Sequence, residues 1–218
     1  MIDMVPGNEV ERKSLAIIDQ EAGRHDFNRE EWPVVRRMIH TTADFSIIPI
    51  VKFYNEPIRK GIEALKRGAP IVSDSNMIKS GISVSRLEKI NAGYSRESIS
   101  CRVAEKDVFQ QADENQLPRA IYNMRSLKSS IDRGIVCIGN SPMALWEVVR
   151  LIREEEIQPG LLIAMPVGFV NVIETKELVK DLAVPYILMD GRRGGSTLVV
   201  AVINAIAVLA LKEIQGEE

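Results

Sequence analysis

IVCIGNSPMALWEVVRLI, residues 135–152, is a strand, a loop and a helix in immediate succession. The run IVCI is short, apolar and rich in branched side chains, as a buried strand requires, and MALWEVVRLI has the spacing of an amphipathic helix. The pattern recurs twice downstream. LLIAM (161–165) leads through PVGFVN into IETKELVK, and YILM (186–189) leads through GRRGGS into TLVVAVINAIAVLA. Strand, loop and helix repeated in that order give parallel strands joined by crossover helices. Strands that are apolar along nearly their whole length are covered on both faces. The pair IV at 71–72, in GAPIVSD, adds a further strand. The expected class is α/β: a doubly wound, mainly parallel sheet flanked by helices, as a single domain over 1–218.

Upstream the pattern is helical. From residue 8 to about 24, Val10, Ser14, Ile17 and Glu21 share one stripe beside Ile18, so Ser14 lies on an apolar face. A second helix begins near Asn28, with Glu31 at the capping-box position and Phe27 and Trp32 placed as a staple, and runs through VVRRMIH. The polar stretch 104–118 reads as a helix followed by a surface linker.

Composition narrows the function. The 218 residues are 45% hydrophobic and 27% charged, values of an ordinary folded domain. A net charge of -2, with no run of basic residues, argues against a nucleic-acid partner. Cys101 and Cys137 form no CxxC pair, so neither a disulfide framework nor a structural metal site is expected, and a reducing cytoplasm fits. The opening MIDMVPGNEVERK has the wrong polarity for a signal peptide. The longest apolar run, 198–211, is interrupted by Asn204 and reads as too short to span a bilayer.

In an open α/β sheet, ligands bind beyond the carboxyl ends of the strands, where the GNSP, MPVGFVN and GRRGGST loops gather. In the last loop Gly191, Gly194 and Gly195 allow backbone amides to face a ligand, Ser196 can cap the following helix, and Arg192 and Arg193 add positive charge. Such a loop suits a carboxylate or phosphate, though a plain tight turn with solvated arginines fits the same letters. No GxGxxG follows the first strand and no GK[ST] ending is present, which removes the usual nucleotide motifs. Ser141 and Pro142 read as a helix cap and first-turn proline.

Only two histidines are available for proton transfer near neutral pH. His25, in GRHDF, reads as solvent-facing after a helix end. On a helix, Arg36 and Arg37 project to roughly the same side as His40, and Asp44 lies one turn on if the helix continues. Two guanidiniums lower a histidine's pKa and a carboxylate raises it, a combination that holds an imidazole near working pH. From the pattern alone, a helix-end histidine beside a surface salt bridge is the plainer reading. Taken singly, Ser14 can bond a carbonyl one turn back, Arg125 can pair with Asp132, and Asp74 can cap the helix that begins at Ser75.

Taken in order, these segments resemble the precorrin-8X methylmutase family, which includes aerobic enzymes and anaerobic cobalt-precorrin-8 enzymes. The likeness runs through ERKSLAII (11–18), RRMIHTTADF (36–45), GAPIVSDSNMIKSGIS (68–83), YNMRS (122–126), GNSPMALWEV (139–148), MPVGFVNVIETKE (165–177) and GRRGGSTLVVAVINA (191–205). GNSPM and IETKE depart from the family's usual GNAPT and ESK, and HTTADF is closer to the cobalt-using branch.

The resemblance implies a homodimeric isomerase of cobalamin biosynthesis, with its active site near the subunit interface. The implied reaction is a 1,5-sigmatropic methyl migration between adjacent carbons at the ring C edge of a corrin precursor, giving hydrogenobyrinic or cobyrinic acid. His40 matches the family's proton-transfer residue. Ser14, Arg37, Ser83 and Arg125 match substrate contacts, with Ser83 standing where relatives often carry threonine. Arg193, Gly194, Gly195 and Ser196 would receive rim carboxylates, and Met165, Val167 and Phe169 would suit the apolar ring faces. The chemistry calls for no cofactor, no protein-bound metal and no membrane. A non-catalytic tetrapyrrole carrier is the alternative, and the presence of His40 argues against it.

Overall fold

The computed structural model describes residues 6–216. Residues 1–5, the first part of the stretch read as unlike a signal peptide, lie outside the described residues. The strands are β1 (Val51–Tyr54), β2 (Ile71–Ser73), β3 (Ile99–Ser100), β4 (Ile135–Ile138), β5 (Leu161–Ala164) and β6 (Tyr186–Met189). The four apolar runs thus form strands within one residue of the expected bounds. All six make one sheet in the order β1-β6-β5-β4-β2-β3, parallel except for β1, which pairs antiparallel with β6.

The edge strands β1 and β3 are the two that the apolar-run pattern passes over. β1 alternates, with Val51 buried and Lys52 and Tyr54 exposed, as an edge strand does. β3 has two residues and is defined by its pairing with Ile71 and Val72.

The helices are α1 (Gly7–Glu21), α2 (Glu31–Thr42), α3 (Pro57–Lys66), α4 (Asn76–Gly81), α5 (Val84–Ile90), α6 (Lys106–Glu114), α7 (Arg119–Ser126), α8 (Lys128–Ile131), α9 (Pro142–Glu155), α10 (Val172–Lys180) and α11 (Ser196–Gln215). Alternate strand residues face opposite layers. Ile135, Cys137, Leu161, Ile163, Ile187 and Met189 pack with Val35 and Ile39 of α2 and Val202 and Ile206 of α11. Val136, Ile138, Leu162, Ala164 and Leu188 pack with Met124 of α7, Leu145 and Val148 of α9 and Val179 of α10. The sheet is therefore covered on both faces.

α1 ends at Glu21, earlier than expected, and a positive-φ Gly23 follows. The start of α2 follows the sequence reading. Asn28 Oδ1 accepts from the Glu31 amide at 2.9 Å while Glu31 Oε2 accepts from the Asn28 amide at 3.1 Å, and the Phe27 and Trp32 rings stack 6.4 Å apart. His25 is not solvent-facing: it is partly buried, stacked on Trp32 with centroids 4.0 Å apart. In 104–118, α6 supplies the expected helix.

The last helix corrects an expectation. α11 runs for 20 residues with mean hydropathy 2.1, so by length and composition it could cross a membrane. Here it is a core helix, with Val199, Val202, Ile203 and Ile206 fully buried. Asn204, which interrupts its apolar run, accepts from the Ser83 amide at 3.0 Å and donates to the Gly81 carbonyl at 3.1 Å. The polar residue thereby fastens the ends of α4 and α5 to α11.

Candidate active site

The chain leaves β2 for β3 on one side and returns to β4 on the other, which makes the carboxyl ends of β2 and β4 a topological switch point. Asp74, 1% exposed, stands there. Its carboxylate accepts from the amides of Gly139 (3.0 Å), Asn140 (2.8 Å) and Ser141 (2.6 Å). Burial pushes its pKa up and the three amides oppose that shift. Asp74 thus caps the start of α9, while Ser75 caps α4 by accepting from the Ile78 amide. Pro142 is the first residue of α9 and Ser141 its cap position, but Asp74 provides the capping oxygens there.

Three clefts surround the end of α2. One, about 530 Å3, lies between α1 and α2 and is lined by Val10, Ser14, Ile17, Ile39 and His40. A second, about 350 Å3, is lined by Arg37 and Thr41 of α2, Arg86 of α5 and Thr197 and Ala201 of α11. A third, about 350 Å3, is lined by Thr42, Val167, Phe169, Arg192 and Arg193. The second and third together carry four arginines and no acid in their linings.

His40 sits on the exposed last turn of α2, and its Nδ1 lies 2.9 Å from Ser14 Oγ. Ser14 therefore contacts the histidine and not a carbonyl of its own helix. The helix stops two residues beyond His40 because Ala43 takes a left-handed conformation, with φ of 51°. Asp44 is consequently not one turn on from His40. It caps the following 3-10 turn through the Ser46 amide and pairs with Arg193, whose Nη1 also donates to Ser46 Oγ at 2.6 Å. Nor are the two neighbouring arginines uncompensated. Arg37 pairs with Glu11, and Arg36 pairs with Asp19 at 2.6 Å.

The GRRGGST loop is held from within. Gly195 donates its amide to the Met165 carbonyl at 2.9 Å, and a Cβ at Gly194 would lie 2.2 Å from that same oxygen. These backbones meet each other, and the side chains that reach outward are Arg192, stacked over Phe169 at 5.7 Å, and Arg193. Ser196 is the first residue of α11, not its cap, and bonds Ser75 Oγ at 2.9 Å. Ser83 donates its amide to Asn204 and keeps its hydroxyl 3.2 Å from Ser85. Met165 is fully buried and cannot touch a ligand, whereas Phe169 is 85% exposed and Val167 borders the third cleft.

Arg125 stands apart. Its helix, α7, packs in the layer opposite α2, and its guanidinium makes two 3.1 Å bonds to Glu147, not to Asp132. The structure brings His40, Ser14 and Arg37 together, sets Arg193 beside a neighbouring cleft, and leaves Arg125 across the sheet.

Two groups escaped the sequence reading. Lys176 is 1% exposed and donates to the Gly191 carbonyl at 2.8 Å and the Arg193 carbonyl at 2.6 Å. Burial pushes its pKa down to about 8 against the pull of Asp190. Its helical spacing with Val172 and Val179 was the available signal. Arg86, which makes no ion pair among the described residues, lies in SVSRLEK, where nothing distinguishes it from a solvated helix residue.

The precorrin-8X methylmutase family model matches residues 9–209. A cobalt-precorrin-8 methylmutase of Leptospira interrogans is 42% identical over 94% of this chain and 95% of its own length. That of Priestia megaterium is 41% identical over 94% and 89%. The crystal structure of a precorrin-8X methylmutase from Thermus thermophilus superposes with a TM-score of 0.87 at 39% identity, covering 97% of this chain and 99% of that one. Family model, near full-length relatives and fold agree, and the chain belongs to the precorrin-8X methylmutase family.

Proposed function

We propose that the chain is an isomerase that moves one methyl group around the ring C edge of cobalt-precorrin-8 to give cobyrinic acid, with His40 transferring the proton. The observation that carries this reading is the setting of His40. Its Nδ1 is engaged by Ser14, its Nε2 has no partner among the described residues, and clefts with four arginines and no acid in their linings lie beside it. The identity to cobalt-precorrin-8 enzymes supports the cobalt-containing substrate over the metal-free one. Cobalt is then part of the substrate. The relatives' names support catalysis over a carrier role.

The substrate is apolar over its faces and carries carboxylates at its rim. Arg37, Arg193 and the neighbouring loop suit the rim, because hydrogen bonds between charged groups are the stronger kind. Phe169 and Val167 suit a ring face. In the imidazolium form, Nδ1–H donates to Ser14 Oγ, which fixes the ring plane and directs Nε2–H outward. Protonation of the macrocycle favours the rearranged conjugation. One methyl–carbon bond breaks as another forms within the same molecule, so no oxidant or acceptor is needed. His40 ends each cycle in the protonation state in which it began.

The same reading makes the enzyme a cytoplasmic homodimer. The buried, unpaired thiols of Cys101 and Cys137 suit a reducing compartment. Arg125 lies across the sheet from His40, so it reaches the substrate only if a second copy shares the site. Light scattering at micromolar concentration should give twice the chain mass. The direct test is to mix the protein with cobalt-precorrin-8 and follow absorbance. The spectrum of cobyrinic acid should replace that of the substrate, and an unchanged spectrum rejects the assignment.

A further inference from the structure

α1 rests on α2 through polar links more than through apolar burial. Among its described residues, only Ile18 is buried. The links are Glu11 to Arg37, Ser14 to His40, and Asp19 to both Arg36 and Trp32. Glu11 and Ser14 are three residues apart on α1, and their partners Arg37 and His40 are three apart on α2, so each pair shares a helix face. α1 thereby presents an acid and a hydroxyl, as a unit, to the two residues matched to substrate binding and proton transfer.

Glu11 differs from the other acids of this region by the company it keeps. Its carboxyl is held below the usual range by its hydrogen bond to Arg37, with further support from the charges of Arg37, His40 and Arg86. It belongs to α1 and not to the lining of the Arg37–Arg86 cleft, and 48% of its side chain is exposed. A half-exposed ion pair of this kind contributes little net stability, because water and salt compete for both partners. Replacing one carboxylate on Arg37 by another conserves the charge balance of the cleft.

We propose that Glu11 occupies on Arg37, in the empty enzyme, the place that a substrate carboxylate takes on binding, so that substrate entry exchanges one carboxylate for another and frees α1 from Arg37. This rests on the reading of Arg37 as a substrate contact. Glu11 is then a positioning residue: it keeps the guanidinium extended and charged-paired while the site is empty, and it sets a threshold that a neutral-rimmed macrocycle does not pass.

The test is a titration with cobyrinic acid, followed by its visible absorbance, on wild type, Glu11→Gln, Arg37→Ala and the double variant. Glu11→Gln keeps the shape and removes the charge, and it should tighten binding by about two- to fivefold, the scale of a partly exposed ion pair. In the Arg37→Ala background the same change should have no effect. Unchanged or weaker binding in Glu11→Gln, with Arg37→Ala impaired, overturns the exchange and leaves Arg37 as a contact. Equal tightening with and without Arg37 also overturns it, since the gain then comes from net charge. Wild-type affinity in Arg37→Ala removes the underlying reading of Arg37. A thermal unfolding scan of each variant separates a mere strut, which loses stability and binding together, from the proposed exchange.

Discussion

On one face of the sheet, α1 and α2 meet through exposed ion pairs around open clefts. On the other, α9 and α10 each enclose one charge. Glu147 has no exposed surface and is gripped by Arg125 and by Arg150 at 2.6 Å. Lys176 is equally enclosed, with two carbonyls as partners. A charge kept in water can change partners at small cost, whereas a buried one leaves a desolvated group behind when its partner goes. The first face is built for exchange and the second for permanence. Lys176 connects them, because its buried ammonium holds carbonyls of the loop that carries Arg192 and Arg193.

The most severe way to break this contrast is the double variant Arg125→Ala/Arg150→Ala. It leaves the fully buried Glu147 carboxylate without both of its partners and should cost about 3–5 kcal/mol of stability, measured by urea unfolding. A loss no larger than that of an exposed pair would refute the sealed character of this layer. His40→Ala comes next. Turnover should fall on the order of 100-fold, the scale for one general acid, while corrinoid binding survives because the arginines remain. Migration at the wild-type rate in the coloured complex would sink the assignment.

Lys176 sharpens the comparison through pH. Its folded pKa of about 8 is below the unfolded value of roughly 10.4, so between those values the unfolded chain holds a proton that the folded one has released. Stability conferred at this position should therefore rise with pH across that window, by up to about 1.4 kcal/mol per unit, and stay flat below it. Unfolding free energies of wild type and Lys176→Met at pH 7.5 to 10.5 give the difference in which other groups cancel, and a flat difference would show that burial does not tax the ammonium. The smallest effect belongs to Ser14→Ala, which removes the neutral hydroxyl that orients the His40 ring and should raise the barrier to turnover by about 0.5–1.5 kcal/mol, read from the rate of the spectral change.

How far the sequence could be read follows the same division. The four buried strands were legible because parallel strands covered on both faces are continuous apolar runs. β1 and β3 exist by pairing, and their own letters carry no such run. His40 was legible as one of two histidines in a dense motif. Its true partner was not, because Ser14 stands 26 residues away and only the crossing of α1 over α2 joins them. The expected neighbour, Asp44, was lost to a left-handed alanine, a conformation for which alanine gives no warning. The partner of Arg125 was assigned from nearness in sequence, and the fold supplied Glu147 from α9.

The antiparallel pairing of β1 with β6, Val51 against Met189, has a consequence for synthesis. A chain grows from its amino end, so α1, α2 and β1 leave the ribosome long before β6 and α11, on which they dock. At ordinary rates of translation that wait is on the order of ten seconds, during which Val34, Val35, Met38 and Ile39 have no core to enter. A nascent chain that already contains His40 and Arg37 still lacks the walls that Arg192, Arg193, Thr197 and Ala201 give to the second and third clefts. Those two clefts are complete only once the last strand and the last helix have docked.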